Sequence, residues 1–118
     1  MSEARTMTEA EAARDLTAFQ RNILIILSKE PMYGLAIKRE LEEYYGGEVN
    51  HGRLYPNLDE LVELGFVEKS ELDKRTNQYE LTDEGEAAVF DQFEWALSKV
   101  VTDEDRAEDV RTLVDEQL

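Results

Sequence analysis

From Leu16 the apolar residues recur at helical spacing, through Leu16, Phe19, Ile23, Ile26 and Leu27, with Leu24 and Ile25 filling the stripe. Thr8 with Glu11, and Thr17 with Gln20, both have capping-box spacing, so the first helix starts at either threonine. Pro31 ends it, because a residue before proline is pushed out of the α region. A second helix is predicted from Tyr33 to Tyr45, with Ile37, Leu41 and Tyr44 on one face and Lys38, Arg39, Glu42 and Glu43 outward, stopped by Gly46-Gly47. Asn50 is placed to cap a third, with a buried stripe of Leu54, Leu58, Leu61 and Val62 and a stop at Gly65. The period then changes. Phe66 to Leu72 and Gln78 to Leu81 read as two short strands around a polar tip, Asp73 to Asn77. Thr82 caps a long helix to about Val101, and Thr102-Asp103 opens a last one through Val110, Leu113 and Val114. The expected fold is mainly α with a small β-hairpin: a winged helix-turn-helix over Leu16 to Leu81. Residues 1–15 form an N-terminal extension, and residues 82–118 form C-terminal helices for dimerisation.

On the long helix, Val89, Phe90, Phe93, Ala96, Leu97, Val100 and Val101 fall within one arc of roughly 140°, at 100° per residue. Val89, Phe93, Ala96 and Val100 follow the alternating four-and-three spacing of paired helices. A winged domain has its core already, so this face calls for a second copy of the chain, the alternative being a helix folded back on its own domain. Trp95 projects from the opposite side, where it packs on its own domain, covers the last helix or borders a ligand cleft.

Composition changes this picture in one respect. The 118 residues carry 28 Asp+Glu against 13 Lys+Arg, for a formal charge of −15, with one His and no Cys. Taken alone, that charge argues against nucleic acid, whose phosphates call for Lys and Arg. Only 5 of the 13 basic residues are lysine, and the carboxylates are dispersed, as in proteins that stay soluble in concentrated salt; an ordinary acidic cytoplasmic protein is the plainer alternative. The basic residues are unevenly placed. Thr82 to Leu118 holds 12 acids and 3 bases, whereas Lys38, Arg39, Arg53, Lys74 and Arg75 can share one surface.

In a helix-turn-helix the first turns of the recognition helix meet the major groove. Arg53, Pro56, Asn57 and Glu60 lie on the face away from the leucines, with Asn50, His51 and Gly52 where the helix begins. Arginine pairs with guanine and asparagine with adenine. Gly52 lets backbone approach a phosphate, and His51 can donate to one at the positive end of the helix. Asn50 is as well explained as a cap. Lys74 and Arg75 at the hairpin tip suit a phosphate or the minor groove, although a turn is polar in any case. An enzyme is not expected: no thiol, Gly-rich phosphate loop or metal-ligand spacing is present, and no cofactor is implied. The longest apolar run, Ile23 to Leu27, is too short to span a membrane. The N-terminus lacks a signal-peptide pattern, which points to the cytoplasm.

Tyr33-Gly34-Leu35-Ala36-Ile37, then Gly52-Arg53-Leu54-Tyr55-Pro56-Asn57-Leu58 with Leu61 and Gly65-Phe66-Val67, resemble the PadR-like transcriptional regulators. Arg75, Tyr79, Leu81-Thr82 and Gly85 follow the family's Arg…Tyr-x-Leu-Thr-x-x-Gly pattern, and the acidic composition is similar to that of haloarchaeal members. The resemblance covers about Leu16 to Ala88. It implies a homodimer that binds a pseudo-palindromic operator in double-stranded DNA, commonly as a repressor. It also accounts for Pro56, which no pattern predicts within a helix. A winged module that binds only protein is the alternative. Carboxylates beside so few cations imply bound cations such as K+ at the DNA interface. No effector is visible, and an oxidant signal would have to act without cysteine, through methionine, a ligand or altered dimer geometry.

Overall fold

The computed structural model describes residues 9–73 and 76–118. The expected frayed start through Met7, the Thr8 cap and the wing-tip pair Lys74 and Arg75 lie outside the described residues. The chain order is α1 (Glu9–Arg14), α2 (Ala18–Leu27), β1 (Met32–Tyr33), α3 (Gly34–Tyr45), α4 (His51–Glu63), β2 (Val67–Asp73), β3 (Thr76–Leu81), α5 (Asp83–Val100) and α6 (Glu104–Glu116).

The capping chemistry anticipated in the sequence sets most of these boundaries. Thr17 opens α2 with a full capping box, its hydroxyl accepting from the Gln20 N–H while the Gln20 side chain accepts from the Thr17 N–H. Asn50, Thr82 and Asp103 each accept a hydrogen bond from the backbone N–H three residues on, opening α4, α5 and α6. Gly46, at φ 71°, provides the left-handed turn that ends α3.

Phe19, Ile23, Leu24 and Leu27 of α2 pack against Ile37 and Leu41 of α3 and Leu54, Leu58 and Leu61 of α4, with Phe66, Val67 and Tyr79 closing one side. Tyr44 does not join this core. It is 72% exposed, while its neighbour Tyr45 is the residue that reaches Phe19 of α2. The predicted hairpin is part of a three-stranded antiparallel sheet in the order β1-β3-β2. The two residues of β1, assigned in part to the second helix, pair with β3 as Met32↔Tyr79 and Tyr33↔Gln78. A two-residue strand has no periodicity of its own to read; its partner alone makes it visible.

The junction into α5 is tight. Thr82 donates its backbone N–H to the Phe66 carbonyl at 3.1 Å and its hydroxyl to the Gly65 carbonyl at 2.6 Å. A Cβ on Gly85 would sit far inside contact distance of that same Phe66 oxygen, so only glycine lets α5 start here. Val89, one turn on, is buried in this chain's core, which corrects its assignment to a dimer seam. Beyond it the helix leaves the body of the domain: Phe90, Phe93, Leu97 and Val100 are exposed, Ala96 and Val101 half-buried, and α6 buries none of its residues. The radius of gyration, 16.5 Å, reflects this extension; a compact domain of this length has about 13.5 Å.

Candidate nucleic-acid interface

The three buried leucines of α4 fix which residues it presents. Gly52, Arg53, Pro56, Asp59 and Glu63 are exposed on the remaining surface, and Asn57 is half-buried. Pro56 lies inside the helix and has no N–H for the Gly52 carbonyl four residues back. Both residues are exposed, so water can satisfy that carbonyl. A Cβ on Gly52 would meet nothing closer than the Asn50 Oδ1 at 3.5 Å, so the fold itself does not demand glycine there.

Asn50 caps α4, its Oδ1 accepting the Arg53 N–H at 2.9 Å, which leaves its exposed amide N–H groups for another partner. Asn57 donates one N–H from its amide to the Arg53 carbonyl at 2.7 Å, which leaves its oxygen and second N–H for another partner. The His51 ring stacks on Tyr55, with centroids 5.5 Å apart and planes 4° from parallel. Tyr55 in turn sits where a Cβ on Gly34 would meet its hydroxyl at 2.6 Å, so glycine at the start of α3 makes room for this ring.

A cleft of about 340 Å³ runs between the start of α3, Tyr55 and β3, lined among others by Tyr33, Arg39, Asn77 and Tyr79. Arg39 is exposed at its edge. Burial raises the Tyr79 phenol above its ordinary 10.0, with Asp59 and then Tyr55 pushing the same way.

Lys38 departs from the expected role. Its side chain is only 17% exposed and its ammonium pairs with Glu42 on the same helix at 3.5 Å. Glu42 also accepts the Val49 N–H at 3.0 Å. That hydrogen bond, assisted by Lys38, holds the carboxyl below its ordinary 4.5 against the opposing effect of burial. The pair ties the connection that sets α4 on α3, so Lys38 serves the scaffold and Arg39 remains the exposed cation of the two.

Two features were not legible in the sequence. The Arg53 guanidinium lies over the Phe19 ring at 4.0 Å from its centroid and 5.7 Å from that of Tyr45. Gln20, read only as part of a capping box, also donates from its amide to Glu60 at 2.8 Å, tying α4 to α2. Arg53 and Phe19 are 34 residues apart, and Gln20 and Glu60 are 40, beyond any helical spacing rule.

On α5, Trp95 is 64% exposed and borders a hollow of about 310 Å³ with Ala13, Arg14, Arg21, Ala88, Asp91 and Gln92. Arg14 reaches Asp91 across it at 3.4 Å. Among the described residues, no group of three or more His, Cys, Asp or Glu could hold a metal ion, and no helix is long and apolar enough to cross a membrane.

The family model for the transcriptional regulator PadR-like family matches residues 23–90, from α2 into α5. The chain belongs to that family. Among solved structures it is similar to RosR of H. salinarum, with 70% identity over 89% of this chain and 96% of that one, at a TM-score of 0.87. A complex structure of hsRosR aligns at TM-score 0.90 with 67% identity, over 93% of this chain and 96% of that one. Bacillus subtilis PadR in complex with operator DNA is more distant, at 25% identity and TM-score 0.55, over 65% of this chain and 47% of that one. The transcriptional activator GvpE of Haloferax mediterranei is 29% identical over 80 residues, and this chain spans 40% of its length.

Proposed function

We propose that this PadR-like protein binds operator DNA as a homodimer in a salt-rich cytoplasm and regulates transcription there. The observation that carries the reading is α4. A helix locked by three fully buried leucines presents Gly52, Arg53, Pro56 and Asn57 in its first two turns, where a recognition helix meets the groove. Residues 16–81 act as the DNA-binding unit and residues 82–118 as the dimerisation unit. Arg53 and Asn57 read base edges, His51 and Gly52 hold a phosphate, and Arg39 with the wing pair Lys74 and Arg75 holds the flanking backbone.

The second copy covers Phe90, Phe93, Ala96, Leu97, Val100 and Val101. Exposed aromatic and aliphatic residues in this number, along the second half of α5 and beside an α6 that buries none of its residues, are what a helical dimer buries. Two-fold symmetry then sets two α4 helices about one DNA turn apart, near 34 Å.

Glu48, Asp59, Glu60 and Asp73 are exposed and neighbour the proposed contacts along the chain, so phosphates and carboxylates approach each other unless cations such as K+ lie between them. Ordinary counterion release weakens binding with a log–log slope of about −0.9 per phosphate contact; cation uptake opposes that loss. Footprinting on genomic fragments across a KCl series to the molar range tests the reading. Two protected half-sites one turn apart, with affinity flat or rising in KCl, are expected. No protected fragment, or unchanged binding after Arg53→Ala with Arg75→Ala, overturns it.

A further inference from the structure

We infer that Phe19 and Tyr45 form an aromatic platform that holds the Arg53 guanidinium ready before DNA arrives, making both rings positioning residues for operator discrimination. This rests on the reading of α4 as the recognition helix. The two rings stack on each other, with centroids 6.0 Å apart and planes 23° from parallel. Tyr45 is itself fixed, its hydroxyl accepting from the Asn22 side chain at 2.9 Å. Phe19 is 5% exposed and rooted in the core.

A guanidinium held over a ring is bound through its flat face, which leaves its N–H edge for hydrogen bonds. Among the described residues that edge has no carboxylate or carbonyl partner. Glu60, two turns further along α4, is held by Gln20 instead. Arg53 remains exposed, so its donors stay open to an incoming acceptor.

Solvent makes this arrangement consequential. In molar salt the screening length is about 3 Å, and attraction between distant charges is lost. A basic residue contributes there mainly on contact, and contact costs a free arginine its rotamer freedom. That cost weakens binding by up to about thirtyfold, which a pre-set side chain avoids in part. The same geometry requires a planar fork, so lysine cannot substitute.

The test combines a motion of the free protein with a binding cycle on the footprinted operator in molar KCl. In the free protein, 15N relaxation of the Arg53 Nε–H should show an ordered side chain, and Tyr45→Leu should release it. Tyr45→Leu and Tyr45→Ala should weaken operator binding about threefold to thirtyfold. Neither should cost anything further in an Arg53→Ala background, and Tyr45→Phe should restore most of the affinity. Arg53→Lys should keep binding to random DNA while losing preference for the operator. A mobile Arg53 in the wild type, or equal losses with and without Arg53, overturns the platform. Failure of the wild type to bind any operator overturns the DNA-binding reading instead, and the relaxation measurement still decides whether the rings hold Arg53.

Discussion

Gly52→Ala should separate stability from binding. The added Cβ would lie 3.5 Å from the Asn50 Oδ1, an ordinary contact, with nothing else within 4 Å. Gly52 is also not among the glycines at positive φ. Alanine is favoured over glycine by about 0.5–1 kcal/mol inside a helix and by less in the first turn, where Gly52 lies, so the variant should melt slightly higher, by up to about a few degrees. Its methyl would stand where the backbone is proposed to approach a phosphate. Losing one charge-assisted hydrogen bond costs about 1.5–3 kcal/mol, which is roughly tenfold to a hundredfold in affinity per half-site. Thermal melts at fixed protein concentration, paired with fluorescence anisotropy on operator DNA in the same KCl buffer, read both quantities. An alanine variant that is more stable and binds as tightly as wild type would refute close approach at Gly52. One that loses stability would refute the open packing seen around it.

Gly85→Ala should behave oppositely: the Cβ meets the Phe66 carbonyl and the Leu81 side chain, and forcing it in costs about 1–3 kcal/mol in a urea titration. Equal or greater stability would contradict the tight start of α5. Glu42, whose carboxyl is held below 4.5, favours the folded state above that pH; its contribution is lost as pH falls through the lowered value. Urea midpoints from about pH 6 down to about pH 3 should therefore drop less steeply in Glu42→Gln, which also loses the Lys38 pair. Phe93→Asp with Leu97→Asp should yield a folded monomer by analytical ultracentrifugation, since both side chains are exposed and neither belongs to the core. A dimer of unchanged strength would move the interface elsewhere.

What the sequence revealed was local. Caps at Thr17, Asn50 and Thr82 and left-handed glycines at Gly46 and Gly65 act within a few residues, so spacing alone located them. The leucine stripe of α4 was equally legible, since 3.6-residue periodicity determines which side chains turn inward. Misreadings arose where a distant partner decides. Val89 belongs to a continuous apolar stripe of α5 and yet faces the chain's own core, because Gly85 brings the start of that helix against Phe66. Tyr44 and Tyr45 are adjacent at the end of α3, 72% and 42% exposed, and contacts with Asn22, Phe19 and Arg53 set the second apart. Lys38 and Arg39 are adjacent and chemically alike; the loop at Val49, held by Glu42, draws one into the scaffold and leaves the other exposed.

The charge of −15 has the same character: a total that misleads until its placement is known. Residues 82–118 carry 12 acids against 3 bases, so that segment alone accounts for −9 of it. α6 is almost wholly exposed, with Arg111 tied to Glu104 and Glu108 at 2.8 Å and its other acids facing solvent. Acids more than a few ångströms from bound DNA cost its binding little once salt has cut the screening length to that distance. At low ionic strength the same acids repel the duplex across much of the protein. The charge distribution therefore favours binding in brine over binding in dilute buffer, independently of any cation trapped at the interface. Neutralising Glu104, Asp105, Glu108 and Asp109 to their amides separates the two causes: it should improve DNA affinity in dilute buffer and leave affinity in molar KCl unchanged. An equal gain at both salt concentrations would show that the acids of α6 act on the DNA at close range.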